Sequence, residues 1–475
     1  MSATLASLVF AVCIITLFRL DSDRKARVSL ALWLPVIWIS LGASRMVSQW
    51  LQSGPMLESP DQYVDGSPLD RLILTGLLVG ALSVLVARRD RVGALFRANG
   101  PLVIFFLYCA VSVLWSDFPF VAFKRWTKAF GNVAMVLVML TELDPIAAVK
   151  RVLTRVGFLL IPLSVLFIKY YPDLGRGYNV WTWKQYYVGV ASTKNGLGAI
   201  CLVFGLSALW RFLVLLRSKP RPLGPLVAHG VVLVMSLWLF GKANSATSLA
   251  CFFVGGALIA FTGRRVTHAT LAAVHAMTAG IVTLGLLAVF FDPDGHLLQA
   301  MGRDATLTGR TELWNHVLRM ADNAWLGTGF ESFWLGDRAK AIWEIYWWHP
   351  NEAHNGYLEI YLTLGWFGVA LLVVVMASGY RNVTAALRQV PEVGNLRLAY
   401  FTVAVLYNLT EAAFKVMHPV WVLFVFAIIA IPTVVRVEGP EGACETGPLA
   451  AGHGTLLGMP AAGPTSVTSL TPTGR

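Results

Sequence analysis

Charged residues are scarce in this chain: Asp, Glu, Lys and Arg together make up 13% of its 475 residues. A soluble domain carries about 25%, so the composition excludes an ordinary soluble protein. Hydrophobic residues account for 56%, and apolar runs of roughly the 17–25 residues that cross a bilayer recur along most of the chain. The sequence therefore predicts an all-α, polytopic integral membrane helix bundle.

Cysteine is also rare, which excludes a disulfide framework or a cysteine-based metal site. Of the five cysteines, four lie in apolar runs and are expected to be small buried hydrophobes: Cys13, Cys109, Cys201 and Cys251. The first apolar run, Ala3–Leu20, has no basic segment before it and no clear cleavage site. We expect it to be a membrane span rather than a cleavable signal peptide.

Thirteen spans are predicted, or twelve if one of the first two only lies in the membrane interface. They are Ala3–Leu20, Val28–Ala43, Leu72–Ala87, Pro101–Trp115, Phe130–Leu143, Val156–Lys169, Gly196–Leu216, Leu223–Phe240, Ala246–Phe261, His268–Phe291, Gly356–Gly379, Leu398–Phe414 and Pro419–Val435. The chain then divides into an N-terminal transmembrane bundle (1–291), a large, partly helical outer loop (292–355), C-terminal transmembrane helices (356–437) and a cytoplasmic tail (438–475). Because the tail is rich in Gly, Pro, Ser and Thr, it is predicted to be disordered.

The distribution of Lys and Arg sets the orientation of the spans. Short basic connectors follow the first, third, fifth, seventh, ninth and eleventh spans, which places them on one side, taken as cytoplasmic. Loop 292–355 then faces out. Most of the net charge of +12 lies in these connectors, so it is explained by membrane topology and does not indicate a nucleic-acid partner.

The outer side nonetheless carries cations that the topology rule does not require: Lys124, Arg125, Lys128, Arg176, Lys184, Lys194, Lys242, Arg303, Arg310 and Lys415. Any one of them could simply reach up to lipid headgroups. As a set, they indicate an anionic substrate at the membrane surface, since guanidinium groups bind phosphate in a bidentate manner.

The outer loop contains a predicted amphipathic helix at Thr311–Trp325, lying on the outer leaflet or capping the bundle. Arg310 immediately precedes it, and backbone N–H groups at a helix start also favour an anion. A further helix is predicted from His354, with Gly365 on the same face almost three turns later. The alternative is a packed interfacial histidine above a glycine seam.

Several ionisable residues admit more than one role. Glu331, Glu344 and Glu352 are rival candidates for a catalytic base beside His354. Glu411 and Lys415, four residues apart in the twelfth span, are expected to neutralise each other. The outer residues show no metal-ligand cluster by spacing, so neither a metal nor a cofactor is predicted.

Four motifs carry a resemblance to a known family. His354-Asn355 is followed after nine residues by Gly365 and after two more by Gly368, and the chain also contains GRTELW at Gly309–Trp314. STKNGLG at Ser192–Gly198 and SDFPFVAFKRW at Ser116–Trp126 complete the set. Together they resemble the O-antigen ligase and polysaccharide polymerase superfamily, and the STKN variant is similar to exopolysaccharide polymerases. The family commonly has twelve spans with both termini inside, whereas thirteen spans place the N-terminus outside.

The resemblance implies a metal-independent glycosyltransferase in the bacterial inner membrane, with loop 292–355 as its catalytic loop facing the periplasm. The donor would be a glycan on undecaprenyl diphosphate and the acceptor a sugar hydroxyl. His354 matches the general base and Arg310 the diphosphate-binding arginine, with Arg176 as a second. We also assign Lys194 and Arg125 to the diphosphate, and Asn355, Gly365, Gly368 and Trp314 to shaping the site.

Three functions fit the sequence. The first is a polymerase that joins lipid-linked repeat units of exopolysaccharide or O-antigen, with chain-length or export proteins as possible partners. The second is a ligase that moves a finished glycan to lipid A-core. The third is a transporter or flippase, which is disfavoured because there is no repeated pair of broken helices and few charges lie at span centres. A purely structural scaffold is disfavoured by the outer cations.

Overall fold

The computed structural model describes residues 2–22, 28–51, 66–178, 183–263, 268–291 and 308–432. The predicted tail, Arg303 and much of the first half of loop 292–355 lie outside these ranges. Within them the regular secondary structure is helical apart from one short hairpin. The all-α membrane bundle predicted from the sequence is confirmed.

The helices of the first half are α1 (Ala3–Leu20), α2 (Trp33–Ala43), α3 (Val47–Trp50), α4 (Pro68–Ala87), α5 (Arg89–Ala98), α6 (Gly100–Val111), α7 (Pro119–Leu140), α8 (Pro145–Tyr170) and α9 (Pro172–Gly175). Short 3₁₀ turns at Leu30–Leu32 and Ser112–Trp115 precede α2 and follow α6. The hairpin pairs β1 (Arg176–Tyr178) antiparallel with β2 (Gln185–Tyr187).

The second half contains α10 (Lys194–Arg217), α11 (Leu223–Ala243), α12 (Ala246–Thr262), α13 (His268–Phe291), α14 (Thr308–Arg319), α15 (Gly336–Ile345), α16 (Gly356–Gln389), α17 (Pro391–Thr410) and α18 (Pro419–Ile428). Each of the thirteen predicted spans overlaps a helix. Among the described residues, six helices are long and apolar enough to cross a membrane, and the bent pair α5–α6 would add a seventh crossing. Four more apolar helices are shorter, so the total number of spans stays a prediction.

Several helices begin before the apolar run that predicted them, because their first turns are polar. Proline stands within the first turn of four of them, where its missing N–H costs nothing: Pro68, Pro119, Pro145 and Pro391. The polar start of α7 contains Lys124, Arg125 and Lys128. These predicted outer cations therefore lie on a helix rather than in a loop.

Contacts between helices sort into two sets that match the two predicted sides. At one end, Arg88 pairs with Glu142 at 2.6 Å and Lys150 pairs with Glu392 at 2.6 Å. At the opposite end, which we call the site end, the side chains of Thr247 and Thr410 are hydrogen-bonded at 2.9 Å. Residues predicted to face the cytoplasm and residues predicted to face out are thus separated in the fold.

The middle of the bundle is formed by α10, α17 and α18, whose residues are buried around almost the whole helix. A helix that is apolar all round packs inside a bundle rather than at its edge. By contrast, α1 exposes much of its surface. The C-terminal end of α17 consequently lies at the site end, near the centre of the protein. Glu411, the next residue, lies there too.

The outer segment packs onto the start of α16 through a small apolar cluster of its own: Leu313, Val317, Phe333, Ile342 and Leu362. The predicted amphipathic helix is present as α14, but it begins three residues earlier and ends six residues earlier than expected. Its apolar face packs on this cluster, so α14 caps the bundle.

Candidate active site

Glu411, the residue after α17, brings three segments of the chain together. The side-chain amide of Asn195, in the first turn of α10, donates to both Glu411 carboxylate oxygens at 3.1 and 3.2 Å. Arg310 of α14 approaches Oε1 of Glu411 at 3.4 Å and also donates to the backbone oxygen of Thr410. The backbone oxygen of Glu411 accepts from Gly356 at 3.2 Å. A buried carboxylate is tolerated here because every oxygen has a donor.

His354 lies between two carboxylates. Its Nδ1 atom is 3.1 Å from Oε1 of Glu352 and 3.4 Å from Oε2 of Glu411, and the ring stacks on Trp348 at a centroid distance of 6.4 Å. Two carboxylate oxygens this close to Nδ1 favour a proton on that nitrogen. In the neutral ring Nε2 is then the nitrogen that can accept a proton.

The two carboxylates control the charge of the imidazole. Burial lowers the pKa of His354, but its contacts with Glu352 and Glu411 outweigh burial and raise that pKa to about 9. Burial opposes the charge on Glu352, but Lys415, whose Nζ lies 2.8 Å away, and His354 hold the pKa of that carboxyl well below its usual range. At neutral pH, Glu352 is therefore ionised and His354 is mostly protonated.

A cavity of about 230 Å³ adjoins this group on the side of Glu352. Its cationic lining consists of Arg125, Lys128 and Lys415, and its acidic lining of Glu331, Glu352 and Glu359. Arg125 donates a hydrogen bond to the backbone oxygen of Glu331. The cavity thus carries charges of both signs on a largely apolar wall, lies at the site end and shares Glu352 and Lys415 with the histidine group.

Two of the four residues predicted to shape the site, Asn355 and Trp314, support the His354 loop directly. The side-chain oxygen of Asn355 caps α16 by accepting from Tyr357 and Leu358 at 3.0 and 3.1 Å, and its Nδ2 donates to the backbone oxygen of Leu409. The indole of Trp314 donates to the backbone oxygen of Ala353 at 2.7 Å. His354 itself has a φ of 50°, a left-handed conformation that costs energy for a non-glycine residue. These contacts on both sides hold it there.

Comparison with known proteins bears directly on this arrangement. Residues 188–373 match the family described as O-antigen ligase. The chain is also 23% identical over 287 residues to the exopolysaccharide production protein ExoQ of Rhizobium meliloti (strain 1021), over 58% of this chain and 63% of ExoQ. The predicted resemblance is confirmed. The chain is a multi-pass membrane protein that is similar to the O-antigen ligase family over residues 188–373, and its match spans less than two thirds of the length of ExoQ.

The O-antigen ligase match contains Asn195, Arg310, Glu352 and His354. Lys128, Glu411 and Lys415, which complete the ion pairs and the cavity, lie outside it. The site is therefore assembled partly from helices beyond the matched segment.

The five residues predicted to be catalytic or to bind the diphosphate do not all lie together in the structure. Arg310 meets the His354 group, and Arg125 lines the adjoining cavity. Arg176 lies on β1 and makes no described contact with His354, Glu352 or Glu411. Lys194 is an exposed residue in the first turn of α10, and its neighbour Asn195 makes the contact with Glu411 instead.

The prediction that His354, Gly365 and Gly368 share one helical face is wrong. The helix begins at Gly356, after His354, and it is broken at Gly365, where φ is 63° and ψ is −166°. A Cβ at Gly365 would lie 2.2 Å from the carbonyl carbon of Trp325. Gly365 therefore allows a sharp bend and the close approach of the loop backbone, which periodicity could not reveal.

The expected pairing of Glu411 with Lys415 is also wrong. Since α17 ends at Thr410, the two residues do not lie four positions apart on a helix. Lys415 pairs with Glu352, and Glu411 pairs with Arg310. Asn195 was not predicted, although it stands within the STKN motif that contributed to the family resemblance.

One carboxylate–imidazole set has the spacing of a cation site. Oxygen or nitrogen atoms of Glu352, His354 and Glu411 lie within 4.8 Å of one another, and such groups bind divalent metals. Both carboxylates, however, already pair with Lys415 and Arg310. A metal ion would have to compete with those cations, so the donor set fits a metal poorly.

Proposed function

We propose that this protein transfers a glycan from undecaprenyl diphosphate to a sugar hydroxyl at the periplasmic face of the bacterial inner membrane, and that it polymerises exopolysaccharide or O-antigen repeat units. The observation that carries the proposal is the position of His354 Nδ1 between Glu352 and Glu411, each carboxylate being held by a separate cation. This arrangement orients an imidazole as a proton acceptor near a cavity lined by charged residues of both signs. It requires neither a cofactor nor a metal.

In the proposed reaction, the acceptor hydroxyl oxygen attacks the anomeric carbon of the donor sugar. The new carbon–oxygen bond forms as the bond to the diphosphate breaks, and the lipid diphosphate leaves with the electron pair. The hydroxyl proton moves to Nε2 of His354, and the carboxylates of Glu352 and Glu411 stabilise the resulting imidazolium. The product is protonated His354, a free lipid diphosphate and a lengthened glycan.

We assign the donor diphosphate to the cations around this group, Arg310, Arg125 and Lys415. Arg310 uses one nitrogen to contact Glu411 and another to donate to the backbone oxygen of Thr410. A guanidinium has five N–H donors, so others remain for a phosphate. When His354 is protonated, Arg310, Lys415 and His354 outnumber the two carboxylates by one positive charge. Fixed cations of this kind stabilise the charge that develops on the leaving group.

The rival bases are less suited to the role. Glu352 has a pKa below its usual range because Lys415 and His354 stabilise its charge against the effect of burial, which makes it a weak proton acceptor. Glu344 lies on the exposed side of α15. Glu331 lines the cavity, but among the described residues it has no partner comparable to the pair of carboxylates that orients His354.

The test is transfer activity after reconstitution into liposomes with lipid-linked repeat units. We expect His354→Gln to lower the rate by about 10²–10⁴-fold, the usual contribution of a positioned acid–base group. His316→Gln, a histidine substitution on α14 of the same outer segment, is the matched control and should leave the rate unchanged. Near-normal transfer by the His354 variant, with equal protein in the membrane, would refute the assignment.

A ligase that delivers the glycan to lipid A-core remains a second candidate, because the matched family is described as O-antigen ligase. The two functions share donor and chemistry and differ in the acceptor. Analysis of surface glycans and accumulated undecaprenyl-linked intermediates in a deletion strain separates them. Loss of polymer with accumulation of single repeat units indicates a polymerase, and accumulation of finished lipid-linked polymer indicates a ligase.

A further inference from the structure

The cavity beside the His354 group contains two charged side chains that the proposed reaction does not use. Lys128 and Glu331 both line it, whereas its other cations, Arg125 and Lys415, are assigned to the donor diphosphate. Lys128 follows Arg125 by three residues on α7, which places it about 4.5 Å further along that helix, toward the more buried half. We call this space the Lys128–Glu331 cavity.

Neither of these two charges has a counter-ion close by. Among the described residues, no carboxylate lies within 4 Å of the Lys128 ammonium, and no Lys, Arg or His nitrogen lies within 4 Å of the Glu331 carboxylate. Asp70, which acts on Lys128 from further away, already accepts two hydrogen bonds from Ser48. Lys128 and Glu331 are partly buried, and burial of an unpaired charge is costly. A ligand with an anionic group for Lys128 and donors for Glu331 would relieve both charges.

The backbone is strained at two residues that line the cavity. Glu331 has a φ of 53° and Met417 a φ of 61°, left-handed conformations that cost energy for a non-glycine residue. A hydrogen bond from Arg125 to the backbone oxygen of Glu331 fixes the first of them. Strained residues concentrate at sites that clamp a ligand. The position of the Glu331 carboxylate is therefore better explained by a ligand than by packing.

The cavity has the size and lining of a site for one sugar ring. Its volume of about 230 Å³ lies below the roughly 300–1,000 Å³ of pockets that take drug-sized ligands. Apolar surface from Trp334 and Phe414 can pack against the C–H groups of a sugar. The indole N–H of Trp334 is already held by the two oxygens of Glu359 at 2.9 and 3.1 Å. Recognition of the hydroxyls and of any charge on the ring then falls to Lys128 and Glu331.

A sugar carboxylate fits these two groups better than a further phosphate does. An ionised phosphate has only acceptor oxygens, and Glu331 would repel it. A uronic acid carries a single negative charge at neutral pH, which a charge-assisted hydrogen bond from Lys128 would match. Its ring hydroxyls can donate to Glu331.

We propose that the Lys128–Glu331 cavity binds a uronic acid of the repeat unit, with Lys128 on its carboxylate and Glu331 on its ring hydroxyls. This inference rests on the proposed function and adds the class of sugar to it, because the protein then selects an acidic repeat unit. The cavity shares Glu352 and Lys415 with the His354 group, so a sugar bound there lies beside the reacting groups.

Binding of free sugars tests this inference without relying on catalysis. The measurement is saturation-transfer NMR on the purified wild-type protein in detergent, with glucuronate and galacturonate as probes. One of these acids should bind at least about tenfold more tightly than its uncharged methyl ester, as expected for a charge-assisted hydrogen bond. Equal affinity of acid and ester would overturn the proposal, and so would the failure of both acids to bind.

Substitution of Lys128 assigns the binding to this cavity. Lys128→Gln should weaken uronate binding by about tenfold or more with unchanged thermal unfolding, whereas Lys128→Arg keeps the charge and should retain most of the affinity. Lys340→Gln, which removes an outer lysine paired with Asp337, is the matched control and should bind as the wild type does. Unchanged uronate binding by Lys128→Gln would contradict the assignment.

Inorganic pyrophosphate distinguishes a sugar carboxylate from a phosphate as the partner of Lys128. Its affinity for the protein should be the same in the wild type and in Lys128→Gln. An equal loss of affinity for uronate and for pyrophosphate in that variant would make Lys128 part of the diphosphate site and would overturn the inference.

The carboxyl group of the substrate provides the functional test. A lipid-linked repeat unit that contains a uronic acid is compared with the same unit after reduction of its carboxyl group to an alcohol. In the wild type, kcat/KM should be about tenfold or more lower for the reduced unit, and Lys128→Gln should transfer the two units equally. Equal rates in the wild type would sink the inference. Absence of transfer with both units would instead refute the proposed function, while the binding of free sugars would still report on the cavity.

Discussion

The Nδ1 atom of His354 lies 3.4 Å from Oε2 of Glu411, across the gap between the loop before α16 and the end of α17. This contact joins the outer segment to the most buried part of the bundle. Because Asn195 and Arg310 also hold Glu411, the position of the imidazole depends on three distant parts of the chain.

The pH dependence of transfer should follow the charge of His354. With a pKa raised to about 9 by Glu352 and Glu411 against the effect of burial, the neutral ring that can accept a proton becomes more abundant as pH rises toward 9. We expect kcat/KM to rise over the same range. In Glu411→Gln, one carboxylate charge is lost, so the rise should occur at lower pH.

The measurement is kcat/KM from pH 6 to 10 for wild type, Glu411→Gln and Glu411→Asp. The Asp variant keeps the charge and should restore part of the upward shift. An inflection that stays at the same pH in all three proteins would show that His354 does not control the reaction.

Gly365→Ala should destabilise the protein. A side chain at a φ of 63° costs about 1–3 kcal/mol, and the new Cβ would collide with the backbone of Trp325. The thermal unfolding of the purified protein in detergent should move to lower temperature. Gly76→Ala, where a Cβ meets no atom within 4 Å, is the matched control, and equal stability of the two variants would contradict this account of the bend.

Asn195→Leu should reduce transfer while leaving the fold intact. The substitution removes both amide hydrogen bonds to Glu411, and a lost bond to a charged group costs about 1.5–3 kcal/mol. We expect kcat/KM to fall by about tenfold or more, with Ser192→Ala, an exposed neighbour, as control. An unchanged rate would show that Glu411 needs no support from α10.

Removal of divalent metal ions should leave transfer unchanged. Glu352 and Glu411 are already paired with Lys415 and Arg310, so these cations take the place that a metal would occupy. Transfer measured in excess EDTA should equal transfer in Mg²⁺. Loss of activity in EDTA that Mg²⁺ restores would instead assign a metal to the three residues around His354.

Much of the helical framework was predictable, because a long apolar run directly indicates a helix that lies in the lipid bilayer. The two-sided sorting of basic residues agrees with the two ends of the bundle, as the opposite positions of Arg88 and Arg310 show. The family motifs singled out Arg310 and His354, which the structure brings to the same carboxylate, Glu411. They could not place Lys415 opposite Glu352, because these residues are 63 positions apart and no local pattern links them.

Taken alone, the sequence determined that this is a helical membrane protein and which loop carries the candidate histidine, since hydrophobicity and short motifs are local properties. Only the tertiary structure decided which charges meet. The end of α17 at Thr410 turns Glu411 toward His354, and the bend at Gly365 lets the outer segment pack against α16. Ion pairs depend on distances between side chains, and those distances are set by how the helices pack.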